Sequence, residues 1–477
     1  MTESPLLPLC VDLDGTLIRT DSLVESALEL VRQRPLSALL APFWLLRGKA
    51  GFKSEIASRI TLPPETLPYR DSLVKWLREQ ARVRKLYLTT AAHYSIAEAV
   101  AKYLGCFAEV IATRSVNLSA HNKAQALVEK FGDGQFDYAG NSKDDLPVWH
   151  KARHAIVVGA SGSLVDRVSK ERPVERAFDT AAPAGPRALI SLLRAFRLHH
   201  WVKNLLVFLV PVAAHRILDD TVLVSSLLAF LAFGFAASGT YVVNDLLDLA
   251  ADRAHPRKKL RPFAAGDVPL AIGLLVGPAL LTLAIMIGLA VGRDLTLLLA
   301  TYIATTFLYS TWLKRLVFVD VILLAGFYAL RVVAGAAATQ IGLSFWLLAV
   351  CAYGFLSLAL LKRYIEILSL YGRQFDAAPA RGYKAGDRAV VLALGVGTGL
   401  VCSLVMALYI DSPASRLYYA HPDFLWMLVV LVIMGAGRLW LIAGRGEMHD
   451  DPLLFVARDP ASLGLIVAAA LAVVLAV

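Results

Sequence analysis

Two hydrophobic rhythms divide the chain. Up to about residue 170, short apolar runs alternate with amphipathic stretches. LPLCVDLDGTLI (7–18), KLYLTTA (85–91), AEVIATR (108–114), FDYAG (136–140) and HAIVVGA (154–160) read as strands, with helical patterns over 22–60, 94–104 and 121–131 between them. Such alternation predicts an α/β domain built on a parallel sheet. Beyond residue 190, long uncharged runs take over at 221–244, 268–292, 295–313, 332–361, 389–410 and 460–477, with shorter ones near 204–218, 318–338 and 424–443. A bilayer core takes about 20 apolar residues per helix. The run 332–361 exceeds that and is expected to break near Thr339–Gly342. The pattern therefore predicts an all-α membrane domain of nine transmembrane helices over 191–477. Residues 171–190, rich in Pro and Ala, read as a linker from an α/β domain over 1–170. The apolar stretch 35–46 is too short to cross; it is either core of a helical cap or a surface lying on the bilayer. Residues 187–201 predict a basic amphipathic helix at the membrane surface.

Charge sharpens this division. Charged residues number 46 in the first 190 positions and 40 in the following 287, so only the first part has the composition of a soluble domain. The loops on one side of the nine expected helices carry 15 Lys and Arg, those on the other side three. Positive loops stay inside, which predicts a cytoplasmic N-terminal domain, a C-terminus on the far side and residence in the inner (cytoplasmic) membrane. The net charge of +10 is thereby explained without nucleic acid as a partner. Four scattered cysteines form neither a disulfide framework nor a zinc pattern. The first residues lack the basic start of a secretory signal.

The first chemical signal is Asp12 and Asp14, two apart at the tip of a buried strand and followed by Gly15 and Thr16. Two such carboxylates can share one Mg²⁺ while one attacks phosphorus and the other handles a proton. Thr90, or its neighbour Thr89, ends the second strand and offers a hydroxyl to a phosphoryl oxygen. Lys123 begins a helix and offers a positive charge. Asp144 and Asp145 follow the strand YAG. All lie at or beyond strand C-termini, where open α/β sheets hold ligands. This order resembles the haloacid dehalogenase-like phosphatases. The resemblance implies Asp12 as nucleophile, Asp14 as general acid/base, Thr90 and Lys123 as phosphoryl holders, and Asp145 supporting Mg²⁺. Asn141 stands where that family usually has Asp; its amide oxygen still ligates Mg²⁺, with one negative charge fewer.

The second signal is NDLLDLAADRAHPRKKLRP at 244–262. Spacings of three and four put Asp245, Asp248 and Asp252 on one face of a helix, after Asn244. Three carboxylates at a membrane face call for a cation, and Mg²⁺ binds carboxylates together with phosphate oxygens. Arg253, His255, Lys258 and Arg261 follow at once, suited to the remaining charge of a diphosphate. Further polar residues interrupt the apolar segments: Lys203 and Asn204, Tyr309 and Lys314, Asp320 and Arg331, and Lys362, Arg363 and Glu366. Each is a candidate substrate contact or one half of a structural ion pair; Arg438 reads as structural, and His449, Asp450 and Asp451 as possible additions to the site.

NDxxDxxxD on nine apolar helices resembles the UbiA prenyltransferase superfamily. HWVKN (200–204), DRxHPxKxxRP (252–262), YSTWLK (309–314), a single Asp320 and KRYIE (362–366) narrow the likeness to its decaprenyl-phosphate phosphoribosyltransferase branch. That resemblance implies a Mg²⁺-dependent transfer from phosphoribosyl diphosphate, held at Asp245, Asp248 and Asp252, to a polyprenyl phosphate entering from the lipid bilayer. The fused phosphatase would then remove the 5-phosphate. A prenyl diphosphate donor with an aromatic acceptor is the alternative; the single Asp320 and the basic extension count against it. A transporter or lipid-binding protein is the non-enzymatic alternative, disfavoured by the absence of a convincing internal repeat.

Overall fold

A computed structural model describes the chain except residues 1–5, 115–116, 179–185, 372–381 and 449–450. It divides into two compact units. The first comprises Met1–Phe196 with Val242–Val276, the second Arg197–Tyr241 with Gly277–Val477.

The first unit is built on six parallel strands: β1 (Leu9–Val11), β2 (Leu86–His93), β3 (Glu109–Thr113), β4 (Asp137–Gly140), β5 (Ala155–Val158) and β6 (Val174–Phe178). Their order is β3-β2-β1-β4-β5-β6, so the direction of winding reverses between β1 and β4. Side chains alternate between faces, as strand geometry requires. Leu9, Val11, Leu88, Ile156 and Val158 pack on one side with Leu73 and Trp76, while Cys10, Tyr138, Ala155 and Val157 pack on the other with Leu127 and Trp149. Val174–Phe178 corrects the linker expectation for 171–190. These residues form the last strand, because Phe178 has Trp76 to pack on and the β5 edge would otherwise stand unpaired.

Between β1 and β2 lies a helical cap. Its first helix, Ser22–Gln33, starts where the Asp21 carboxylate accepts the N–H groups of Leu23 and Val24. Leu30 joins Trp44 and Ile56 in a small core of its own. Leu28, from the same helix, packs with Ala195, Val242, Leu246, Phe263 and Leu270. The segment 242–276 thus belongs to the first unit, whereas the sequence placed it wholly in the membrane domain.

Among the described residues, six helices are long and apolar enough to cross a membrane: Asp220–Leu247, Leu270–Val291, Val319–Thr339, Phe345–Ser369, Ala385–Asp411 and Pro422–Gly444. The expected nine are not reached by this measure. Leu198–Ala213 and Pro460–Ala476 are apolar but shorter. Arg293–Thr311 is a further helix, with Tyr, Thr and Ser among its last eleven residues. The break expected near Thr339–Gly342 is present: one helix ends at Thr339 and the next begins at Phe345. Within the second unit, Gly335 lets the 198–208 segment approach closely, since a Cβ there would lie 2.0 Å from the Val207 carbonyl oxygen.

Candidate active sites

The reversal of winding leaves a crevice beyond the C-terminal ends of β1 and β4, and there a cavity of about 460 Å³ opens. Asp12, Asp14, Lys123 and Asn141 line it. Gly15 makes the turn after Asp14 with φ +73°, and a Cβ on it would strike the Asn141 amide at 2.2 Å. Only glycine lets that loop close over Asn141. Lys123 Nζ donates to Asp12 Oδ1 (2.8 Å) and to the Tyr138 hydroxyl (2.9 Å). Asp14 accepts the Ser22 N–H at 2.8 Å.

Loss of solvation pushes the Asp12 carboxyl up to about 6, against the pull of Lys123. The same cause, with Asp21 and Asp12 nearby, pushes Asp14 up to about 7. Two crowded carboxylates with raised affinity for protons, beside an amide oxygen, are a donor set that a divalent cation relieves. Asp12, Asp14 and Asn141 therefore fit Mg²⁺.

Two expectations change here. Both Asp145 oxygens are engaged within the protein: Oδ2 accepts the N–H groups of Asn141 (3.0 Å) and Ser142 (3.1 Å), and Oδ1 accepts the Tyr138 hydroxyl (2.8 Å). Asp145 braces the loop and Lys123, and it lines the cavity together with the exposed Asp144. Thr90 is fully buried, its hydroxyl accepting the Ala92 N–H, and β2 contributes Ala91, Ala92 and His93 to the lining. Thr89 is also buried and is not a lining residue either.

The sequence reading missed Lys53. This cap residue lines the cavity and donates to the Ala91 carbonyl oxygen (2.6 Å) and to Asn117 (2.8 Å); burial lowers its pKa. No spacing rule links it to β1, since 39 residues separate it from Asp14. One wall of the cavity is Pro269–Ala271, the start of the apolar helix Leu270–Val291.

The second motif folds in the same unit. The helix carrying Asn244 and Asp245 stops at Leu247, and Asp248 precedes a separate short helix, Leu249–Ala254. This break corrects the single helical face expected for the three aspartates. Asp245 and Asp252 are buried and meet at Arg261, whose Nη1 lies 3.1 Å from Asp245 Oδ1 and 2.6 Å from Asp252 Oδ2. Asp248 is exposed. Two buried carboxylates held by one guanidinium fit a Mg²⁺–diphosphate exchanging for part of that charge.

Arg253 departs from its expected role as a phosphate ligand. It points to Glu25 of the cap, with contacts of 2.6 and 3.1 Å, and reaches the carbonyl oxygens of Ala264 (3.1 Å) and Thr66 (3.4 Å). His255 and Lys258 are exposed, the His255 ring accepting the N–H groups of Arg257 and Lys258.

The second unit gathers the remaining polar residues into two networks. In one, Asp451 bridges Lys203 (2.7 Å) and Lys362 (3.0 Å), and Arg331 donates to Asn204 (2.8 Å) and to the Tyr302 hydroxyl (3.3 Å). In the other, Arg363 pairs with the fully buried Asp320 at 2.6 Å and with Glu366, and the Tyr383 hydroxyl donates to Asp320 at 2.8 Å. Asp320 and Arg363 thus form a buried ion pair. Tyr309 packs edge-on against Phe327, and Lys314 lies half-buried in the turn Leu313–Arg315. Arg438, read as structural, pairs with Asp459 at 2.6 Å. His449 and Asp450 lie outside the described residues.

Asp137, His154 and Glu175 form a further acidic group with metal-binding spacing. Arg84 and Arg153 already neutralise Asp137 there, at 2.7 and 3.0 Å.

These features define a multi-pass membrane protein with a paired-carboxylate site beside a basic loop and an α/β domain carrying a second acidic site. The chain belongs to the UbiA prenyltransferase family, whose model matches residues 205–475. It is 35% identical over 471 residues to the uncharacterized protein y4nM of Sinorhizobium fredii, covering 97% of this chain and 90% of that one. A decaprenyl-phosphate phosphoribosyltransferase of Mycolicibacterium smegmatis is 38% identical over 200 residues, 40% of this chain and 62% of the relative. In structure, the N-terminal part is similar to a haloacid dehalogenase-like hydrolase of Streptococcus pneumoniae, at 14% identity and TM-score 0.28, covering 37% of this chain and 95% of that one.

Proposed function

We propose that the chain transfers 5-phosphoribose from phosphoribosyl diphosphate to a polyprenyl phosphate, and that its N-terminal domain then removes the 5-phosphate to leave polyprenyl-phosphoryl ribose. The observation that carries the transfer is the pairing of buried Asp245 and Asp252 on Arg261, in the segment that also holds the NDxxDxxxD motif. The 38% identity to a decaprenyl-phosphate phosphoribosyltransferase supports this choice of reaction.

Asp245, Asp248 and Asp252 would hold Mg²⁺, which supplies charge neutralisation for a departing diphosphate. Arg261, which pairs with Asp245 and Asp252, would offer its charge to a phosphate where those carboxylates hold the cation. Lys203, Lys362 and Arg331 offer positive charge to a lipid phosphate. The lipid phosphate oxygen attacks the anomeric carbon, the bond to diphosphate breaks, and diphosphate leaves. A lipid phosphate is already anionic near neutral pH, so no protein base is required. Asp320, closed on Arg363 and Tyr383, does not form a second acidic cluster, which favours a monophosphate acceptor over a prenyl diphosphate substrate.

In the N-terminal domain, Asp12 attacks phosphorus as the bond to the ribose 5-oxygen breaks and that oxygen takes a proton from Asp14; Asp14 then accepts a proton from the water that releases phosphate from Asp12. Lys123 and Lys53 balance phosphoryl charge, and Mg²⁺ would sit among Asp12, Asp14 and Asn141. The wall formed by Pro269–Ala271 supports a lipid-linked substrate. Counting Leu198–Ala213, Arg293–Thr311 and Pro460–Ala476 with the six long helices gives nine crossings, with the N-terminal domain cytoplasmic and the C-terminus on the far side of the inner membrane.

The test is the mass of the lipid formed from polyprenyl phosphate, phosphoribosyl diphosphate and Mg²⁺. Addition of ribose alone supports both steps. Addition of phosphoribose supports transfer and refutes the proposed task of the phosphatase. An unchanged lipid refutes the transfer and turns attention to prenyl diphosphate with an aromatic acceptor.

A further inference from the structure

The cap exposes an apolar surface. Two short helices, Pro35–Ala38 and Ala41–Leu45, follow the first cap helix. Trp44 turns inward onto Leu30 and Ile56, under the Arg59 guanidinium at 4.6 Å. Its neighbours turn outward: Leu36 is 80% exposed, Leu39 72%, Leu40 51%, Phe43 66%, Leu45 57% and Leu46 85%. Six large apolar side chains within eleven residues form a patch that water does not favour.

The geometry points to the lipid bilayer as its occupant: the cap rests on the membrane surface with residues 36–46 dipped among headgroups and upper acyl chains. Three observations choose lipid over a protein partner. First, the stretch between Glu29 and Glu55 contains Arg32, Arg34, Arg47 and Lys49, besides the cavity residue Lys53, and no acidic residue. Apolar side chains flanked by cations are what an anionic headgroup layer attracts. Arg47, although paired with Glu55, stays two-thirds exposed. Second, the same unit contains the end of one membrane-crossing helix and the start of another, on which Ile272, Leu274 and Leu275 are exposed as lipid-facing residues are. Third, the helix Pro186–Phe196 repeats the pattern. Ala195, Leu192 and Phe196 pack inward beside Leu28, while Leu189, Ile190 and Leu193 are exposed next to Arg194. The cap helix Ser22–Gln33 contributes to both small cores, through Leu28 and Leu30. This inference does not depend on the reaction assigned to either site.

The test uses the full chain in nanodiscs containing anionic lipid. Leu39→Cys and Leu46→Cys, made in a Cys106→Ser background, are labelled with bimane and exposed to lipids carrying a shallow nitroxide. Val83→Cys, at a site 61% exposed elsewhere in the α/β domain, is the comparison. Quenching several-fold stronger at 39 and 46 than at 83 supports the inference. Equal quenching at all three overturns it. So does a Leu46→Cys disulfide between two chains whose yield rises with protein density, which would assign the patch to a second copy. Hydrogen exchange on the unaltered chain gives an independent reading. Amides of 35–46 protected in nanodiscs but exchanging freely in short-chain detergent agree with bilayer contact, and equal exchange in both contradicts it.

Discussion

Glu25 and Arg253 join the helical cap to the loop that carries Asp248 and Asp252. Both side chains are nearly inaccessible, at 5% and 8% exposure, and two N–O contacts of 2.6 and 3.1 Å link them. Glu25→Ala leaves a guanidinium buried with only the Ala264 and Thr66 carbonyl oxygens. Removing one partner of a buried pair costs about 3–5 kcal/mol. The two remaining hydrogen bonds keep the expected cost near the lower end, about 3 kcal/mol, a hundredfold shift in the loop's equilibrium. Asp252 is the residue before Arg253, so a loosened Arg253 displaces Asp252 from Arg261. Transfer assayed against Mg²⁺ should show half-saturation moved up by tenfold or more, with the maximal rate at saturating Mg²⁺ reduced far less. Glu25→Asp should recover most of the loss, and the exchanged pair Glu25→Arg with Arg253→Glu part of it. Hydrogen exchange over 249–266 should rise in Glu25→Ala and fall back in the rescued variants. A Glu25→Ala protein with unchanged Mg²⁺ dependence and unchanged exchange over 249–266 would refute the positioning role.

Other outcomes follow from the same geometry. Asp12→Asn should leave transfer intact and stop the product at the phosphoribosylated lipid, read as a product heavier by one phosphate; identical products from both proteins would exclude Asp12 as the nucleophile. Arg363→Met leaves Asp320 buried without its cation, so the detergent-solubilised protein should lose about 3–5 kcal/mol of stability in denaturant titration. Replacing both with apolar residues should restore much of that, because the desolvation cost disappears with the charges. The raised carboxyls of Asp12 and Asp14 favour the protonated native state. In chelator, the stability they contribute is therefore full below about pH 4 and is lost as pH rises through about 6 to 7. The melting temperature of the N-terminal domain should fall between pH 5.5 and 8 without Mg²⁺ and change less with it; parallel profiles would show that the cation does not bind there.

Much of this was legible in the chain because it depends on local rules. The alternation of apolar runs identifies five of the six strands, since a strand buried on both faces must be apolar throughout. Asp12 and Asp14 are readable because a strand tip exposes whatever follows it. Val174–Phe178 escaped because an edge strand carrying Glu175 and Arg176 has neither an apolar run nor a clean alternation; only the exposed edge of β5 recruits it. The single helix expected to carry Asp245, Asp248 and Asp252 is interrupted at Asp248, which spacing alone does not foresee: one helix stops at Leu247 and the next begins at Leu249.

The sequence by itself determined the two kinds of solvent that the halves of this protein require. It also determined where carboxylates and cations cluster along the chain, since both follow from composition and short-range spacing. Which carboxylate meets which cation was decided only in three dimensions. Glu25 finds Arg253 across 228 residues, and Asp451 finds Lys203 across 248. Lys53 reaches the cavity of Asp12 from a separate helix. A charge leaving water accepts whichever opposite charge the packed fold brings within about 3 Å, and that distance depends on every intervening element.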